Sequence, residues 1–239
     1  MSGRLQDRLA VITGASRGIG RAVALGMAAE GAHVVLVART VGGLEEVDDE
    51  IRKVGGKATL VPLDLTDLAG IDRLGATIFE RWGKLDILVG NAGSLGTLSP
   101  LSHLEPKDWD KTLAINVTAN YRMIRSFEPL LKRSDAGRAV FVTSGAAQKC
   151  QPYWGVYSVT KAALDAMVKT WAAELAKTSV RANLLSPGPT RTAMRKKAMP
   201  GEDPTMLTKP ADLVPLFIEM SMPDYAKNGE IVRYEKAKS

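Results

Sequence analysis

The 239-residue chain has a single cysteine, Cys150, so no internal disulfide framework can form. That absence suits a reducing, cytoplasmic setting. The opening residues, Met1-Ser2-Gly3-Arg4, carry no apolar run of the kind a secretory signal needs. Nowhere does the chain approach the roughly 18 consecutive apolar residues of a membrane span. Aromatic residues are scarce at 5%, too few for base-stacking platforms. The two histidines, His33 and His103, have no metal-ligand partner at a recognisable spacing, so no metal is expected. A net charge of +6 would suit nucleic acid, but the basic residues are interleaved with acids along the chain. The densest groups are Arg195-Lys196-Lys197 and a tail with Arg233, Lys236 and Lys238. Both read as solvated surface. Neither a nucleic-acid nor a membrane partner is expected.

What the chain does have is alternation. Seven β-rich runs, at 9–13, 33–38, 58–63, 86–89, 139–143, 180–185 and 230–234, alternate with helical stretches. The helical stretches lie near 18–30, 42–54, 67–82, 106–133, 155–177 and 211–220. Several runs are apolar almost throughout, which marks strands buried on both faces of a parallel sheet. The expected fold is α/β, a doubly wound (Rossmann) parallel sheet of about seven strands with helices on both faces. With 45% apolar residues and no repeat or low-complexity linker, residues 1–239 read as one domain. Gly/Pro-rich stretches at 90–100 and 186–204 follow strands, where such folds place ligand loops.

The first run leads into Gly14-Ala15-Ser16-Arg17-Gly18-Ile19-Gly20. Glycines there let the backbone turn tightly and approach a pyrophosphate. The helix that follows offers free N–H groups and a positive dipole end to the phosphates. The second run ends in Ala38-Arg39-Thr40, without the acid that holds ribose hydroxyls in NAD-binding folds. Arg39 and Arg17 instead offer paired donors suited to a 2′-phosphate. The expected cofactor is therefore NADP(H). After the third run, Asp64-Leu65 places a carboxylate where it could accept from an adenine amine. After the fourth, the small residues of Asn91-Ala92-Gly93 would let the backbone pass beside a ribose.

Tyr157-Ser158-Val159-Thr160-Lys161 spells Y-x-x-x-K on a predicted helix. The two side chains lie one turn apart on the same face. The lysine charge favours a phenolate, so the tyrosine is expected to fall below its ordinary pKa of about 10. That would make it a proton donor or acceptor near neutral pH. Ser144, upstream, could hold a substrate oxygen.

Thr13 to Gly20, Asp64, Asn91-Ala92-Gly93, Asn116, Ser144, Tyr157-x-x-x-Lys161 and Pro187-Gly188-x-x-x-Thr192 stand in a familiar order and spacing. Over roughly residues 5 to 195 the chain resembles the short-chain dehydrogenase/reductases, in particular NADP-dependent members similar to 3-oxoacyl-carrier-protein reductase. The resemblance implies interconversion of a small-molecule carbonyl and a secondary alcohol. Tyr157 would be the general acid in reduction and the base in oxidation. Lys161 would lower its pKa and hold the nicotinamide ribose, and Ser144 would bind the substrate oxygen. Asn116 would fix a water that continues the proton relay. Thr192, in the cofactor-facing segment with Pro187, Gly188 and Thr190, would bind the carboxamide. Residues 189–210, with Met194, Met199 and Met206, would form a substrate lid. Gln151, Tyr153 and Trp154 would line the pocket. The resemblance also implies a homo-oligomer, a dimer or tetramer. The chain departs from the family pattern in having Gly90 before Asn91 and Glu235-Lys236-Ala237-Lys238-Ser239 after the last strand. The competing reading is an NADP(H)-binding sensor without catalysis, and retention of all four catalytic positions speaks against it.

Overall fold

In β1 (Leu9–Thr13) every residue is buried. Leu9 and Val11 pack into the hydrophobic cluster on one face of the sheet, and Ala10 and Ile12 into the cluster on the other. Successive side chains of a strand point to opposite faces, so a strand covered on both sides has no solvent-facing position, and its one polar residue, Thr13, has its hydroxyl bonded within the protein. The computed structural model describes residues 3–235. Lys236 and Lys238, read from the sequence as part of a basic tail, lie outside the described residues, as do Met1 and Ser2.

Around β1 the sheet adds β2 (His33–Ala38), β3 (Lys57–Pro62), β4 (Ile87–Gly90), β5 (Arg138–Val142), β6 (Arg181–Ser186) and β7 (Ile231–Arg233). The spatial order is β3-β2-β1-β4-β5-β6-β7, and every neighbouring pair is parallel. One face carries α1 (Gly18–Ala29), α2 (Val41–Lys53) and α9 (Val214–Ser221), whose Met27, Ile51 and Phe217 join one cluster. The other carries α3 (Leu68–Trp82), α5 (Ala119–Leu131) and α7 (Gly155–Glu174), whose Ile78, Phe127 and Val168 join the second. Three shorter helices, α4 (Pro106–Leu113), α6 (Ala146–Lys149) and α8 (Ala193–Ala198), lie in connections. This is the doubly wound parallel sheet expected from the alternation of runs. Strand order reverses between β1 and β4, so their outgoing loops diverge and leave a crevice at the carboxyl edge. Among the described residues no helix is long and apolar enough to cross a membrane.

Several boundaries differ from the sequence reading by one residue, because pairing with a neighbour and not side-chain character ends a strand. Lys57 is in β3 because it pairs with His33, and Gly90 is in β4 because it pairs with Phe141. A larger difference lies at 106–133, expected as one helix. A π-helical turn at Ala114–Thr118 separates α4 from α5.

At the opposite edge of the sheet, the fully buried carboxylate of Asp86 holds three segments together. It accepts from the Leu9 amide (2.9 Å), Lys84 Nζ (2.9 Å) and Ser134 Oγ (2.6 Å), with the Arg8 guanidinium 3.7 Å away. Breaking a buried charge cluster from one side leaves the remaining charge unpaired, at a cost of about 3–5 kcal/mol. Asp86→Ala is therefore expected to lower the unfolding free energy in urea by about that amount. A loss no larger than that of an ordinary surface substitution would show that the cluster does not hold the edge.

Candidate active site

Gly14 and Gly18 both have positive φ, +66° and +58°. A Cβ on Gly20 would sit 2.3 Å from the Gly14 carbonyl oxygen, so the turn can fold back on itself only with glycine there. Thr13 Oγ1 accepts from the amides of Asn91 (3.0 Å) and Ala92 (3.1 Å) and donates to the Val89 carbonyl (3.2 Å). Asn91 Nδ2 donates to the Thr13 carbonyl (2.8 Å). The loops after β1 and β4 are thus stapled together. Asn91 belongs to the staple, which leaves Ala92 and Gly93 as the small surface beside the crevice. Helix α1 begins at Gly18 with no side-chain cap and no acid in its first turn. The N–H groups around Ile19 remain for an anion. Ser16 packs against Gly43 at the start of α2.

Arg17 is exposed, and its guanidinium has no partner among the described residues. Arg39 lies 3.8 Å from Asp64, an exposed pair of little energetic weight. Asp64 Oδ1 accepts from the Thr66 amide and hydroxyl, both at 2.9 Å. The Thr66 amide holds the carboxyl below its usual range; burial works against it, and the Thr66 hydroxyl and the charges of Arg39 and Lys111 add to the lowering. Asp64 is first a turn former, with one oxygen turned toward Arg39. The Leu65 side chain is in the core, so only its backbone can face a nucleotide.

Tyr157 and Lys161 are both buried on α7. Lys161 Nζ donates to the Val142 carbonyl (2.8 Å) and lies 5.8 Å from the Tyr157 ring centre. Burial drives the lysine down to about 8, with the charge of Asp165 acting the other way. Burial also pushes the Tyr157 phenol up, and the Ser144 hydroxyl beside it opposes that. The sequence reading had the lysine lowering the tyrosine. The structure reverses the sign, because taking a phenolate out of water outweighs an ammonium that is not in direct contact. Tyr157 is thereby held as the neutral phenol, the form that can give a proton.

Asn116 lies in the π-helical turn. Its Oδ1 accepts from the Ser94 amide (2.7 Å), and its Nδ2 donates to the Ser94 carbonyl (2.8 Å) and to Thr160 Oγ1 (2.9 Å). Thr160 Oγ1 donates to the Tyr157 carbonyl (2.9 Å). Both amide hydrogens are thus engaged by protein, leaving none for the water that the resemblance implies. The Asn116 backbone carbonyl accepts from Asn120 Nδ2 (2.7 Å) and keeps its second lone pair. Asn116 ties the loop after β4 to α7, and a Cβ on Gly93 would lie 3.4 Å from its Oδ1 and 3.7 Å from Lys161 Nζ.

After β6, Gly188 has φ +67° and the buried Thr190 hydroxyl faces the carbonyls of Pro187 (3.3 Å) and Gly188 (3.2 Å). Thr192 Oγ1 accepts from the Arg195 amide (3.2 Å), capping α8, and donates to the Thr190 carbonyl (3.3 Å). Its methyl reaches within 3.5 Å of where a Gly18 Cβ would be, so this loop passes over the glycine turn. The segment 189–210 is pinched at its base by Thr190 pairing with Thr208. Inside it Arg195 makes two 2.6 Å contacts to Glu202, which neutralise the first member of the basic triplet. Met194 and Met199 are half-buried, and Met206 is exposed.

Trp154 stands edge-on to Tyr157, 5.9 Å between ring centres. Gln151 and Tyr153, expected to line the same pocket, line a separate apolar hollow of about 600 Å³ with Leu101, Val159 and Ala162. At about 100° per residue, Val159 is some 200° around α7 from Tyr157, so this hollow is on the far side of the helix.

Sequence reasoning missed Ser94, Thr143, Thr160 and Asp165. Only Asp165 left a signal, a carboxylate one helical turn beyond Lys161 on the same face. The residues present fit a nicotinamide dinucleotide. Glycines cradle a phosphate-sized approach, Arg17 has no partner among the described residues, and Gly93 leaves room beside Lys161.

The family model for short chain dehydrogenases matches residues 8–203. The uncharacterised oxidoreductase YciK of Escherichia coli K12 is 36% identical over 217 residues, 90% of this chain and 86% of YciK. A short chain dehydrogenase of Shigella flexneri 2a, solved in complex with NADP, superposes with a TM-score of 0.93 at 35% identity, covering 98% of this chain and 99% of that one. One of Escherichia coli CFT073, in complex with NADPH, gives 0.91 at 34% identity, covering 98% of each. With the family model matched over most of the chain, and these proteins similar to it along nearly its whole length, the chain belongs to the short-chain dehydrogenase family of oxidoreductases.

Proposed function

We propose that the chain is an NADP(H)-dependent oxidoreductase that interconverts a carbonyl and a secondary alcohol on a small molecule. The observation that carries this reading is Tyr157, a buried phenol with Ser144 beside it and Lys161 one turn away. When bound, the cofactor supplies the hydride, and the protein supplies orientation and the proton. Ser144 holds the substrate oxygen by its hydroxyl. Tyr157 gives that oxygen a proton as charge builds on it. Lys161 then stabilises the phenolate, and its charge is worth most where water is excluded. In the reverse direction the phenolate, stabilised by Lys161, accepts the alcohol proton. Arg17 and Arg39 support NADP(H) over NAD(H), since both present guanidinium groups at the ribose end of β2 and the glycine turn. The similarity to proteins solved with NADP and NADPH points the same way. A homo-oligomer in the cytoplasm is the setting that accompanies this reading.

Tyr157→Phe is expected to lower NADPH-dependent reduction of a responsive carbonyl by about 10²–10⁴-fold or more while the variant still binds NADPH by fluorescence titration. Turnover near the parent level would remove Tyr157 from the mechanism. The pH dependence has a definite sign. Lys161 holds its proton below about 8 and loses it above, while the raised Tyr157 stays protonated through that range. Reduction should therefore fall as pH rises through about 8, and a profile flat through that region would contradict the role given to Lys161. Replacing Arg17 and Arg39 together by Ala should raise KM for NADPH by about tenfold or more and leave that for NADH nearly unchanged. An equal rise for both cofactors would show that neither arginine reads the 2′-phosphate.

A further inference from the structure

Two side-chain bonds dock α7 onto the carboxyl end of β5, one turn apart. Lys161 Nζ donates to the carbonyl of Val142, the last residue of β5. Asp165 Oδ1 accepts from the hydroxyl of Thr143, the next residue along. All of Val142, Thr143, Lys161 and Asp165 are buried. Thr143 stands immediately before Ser144, and Asp165 is on the helix that carries Tyr157. The Thr143–Asp165 bond therefore sets where the substrate-holding hydroxyl stands relative to the proton donor. The Thr143 amide is also fixed, to the Leu185 carbonyl of β6 (2.9 Å), so the residue cannot shift while the helix stays put.

A backbone bond from α7 would not do this job, since the helix uses its own N–H and C=O groups internally. Nor would a hydrophobic contact, which fixes no direction. A buried carboxylate is a costly choice at a merely structural position. Cations surround it. Lys161 and Lys169 are on its own helix, and Arg233 reaches from β7. Burial pushes the Asp165 carboxyl up, while the Thr143 hydroxyl and these three cations hold it down.

We infer that Asp165 is a positioning residue for this active site: through Thr143 it fixes Ser144 against Tyr157, and its negative charge keeps Lys161 in the ammonium form. The inference rests on the roles given above to Ser144, Tyr157 and Lys161. Its two parts separate by mutation. Thr143→Val keeps the shape and deletes the hydroxyl. Asp165→Asn keeps an oxygen that can accept from Thr143 and deletes the charge.

Thr143→Val is expected to lower kcat for reduction by about tenfold or more with little change in KM for NADPH, and Thr143→Ser to restore it. Asp165→Asn should move the basic limb of the kcat profile to lower pH, since the charge that opposes lysine deprotonation is gone. The titration of Lys161 Cε in ¹³C-lysine-labelled protein, followed by NMR without any turnover, should shift in the same direction. Parent-like kcat in Thr143→Val, or an unmoved lysine titration in Asp165→Asn, would overturn the corresponding half. Tyr157→Phe tells this failure from failure of the underlying reading: an inactive Tyr157→Phe beside fully active Thr143→Val and Asp165→Asn refutes only the positioning role. A Thr143→Val protein that fails to fold shifts the first half of the test to Thr143→Ala and Thr143→Ser, whose kcat values must differ in the same sense.

Discussion

Keeping a lysine charged where water has been removed is the constraint on which the rest of this site depends. Lys161 is buried, and burial alone favours its neutral form. The protein opposes that with one backbone carbonyl and one carboxylate, both at the junction of α7 and β5. That junction exists only because α7 packs Leu164, Val168 and Trp171 into the core cluster beneath it. The apolar side chains of a helix face thus do the mechanical work for an electrostatic device set among them on the same buried face.

The same logic of mutual bracing recurs around the crevice. Thr13 and Asn91 lock the loops after β1 and β4 to each other. Asn116 locks the second of these loops to α7 through Ser94 and Thr160. Each brace uses a polar side chain to satisfy backbone groups that no strand or helix reaches. The open, carboxyl edge of a parallel sheet leaves many such groups, and here they become the framework of the site. The opposite edge solves the problem with charge, around Asp86.

How much of this was legible in the sequence depends on the range of the interaction. Strands buried on both faces announce themselves in their own residues, and β1 did so. The glycine turn was equally plain, because Gly20 answers to the carbonyl of Gly14, six residues away. The break between α4 and α5 was hidden, and the partners of Asn116 within it, Ser94 and Thr160, are far from it in the chain. The direction of the Tyr157 shift was misread for a similar cause. Sequence shows that a lysine is one turn away, but not that both groups lose their water to distant neighbours. The partnership of Arg195 with Glu202 was also invisible, since a short loop can place two charges together or apart without any change in composition.

The pinch at Thr190 and Thr208 has a consequence for how such a protein can change over time. The chain leaves the fold and returns at nearly one point, so what lies between is an excursion hung from a closed neck. Lengthening a loop whose ends are already joined costs little, about 0.6 kcal/mol for each doubling. Residues between 193 and 207 can therefore be exchanged or extended without disturbing β6, Thr192 over the glycine turn, or the Tyr-Lys pair. Under the proposed function, the excursion over the substrate is free to drift, while the part proposed to move the proton is held still.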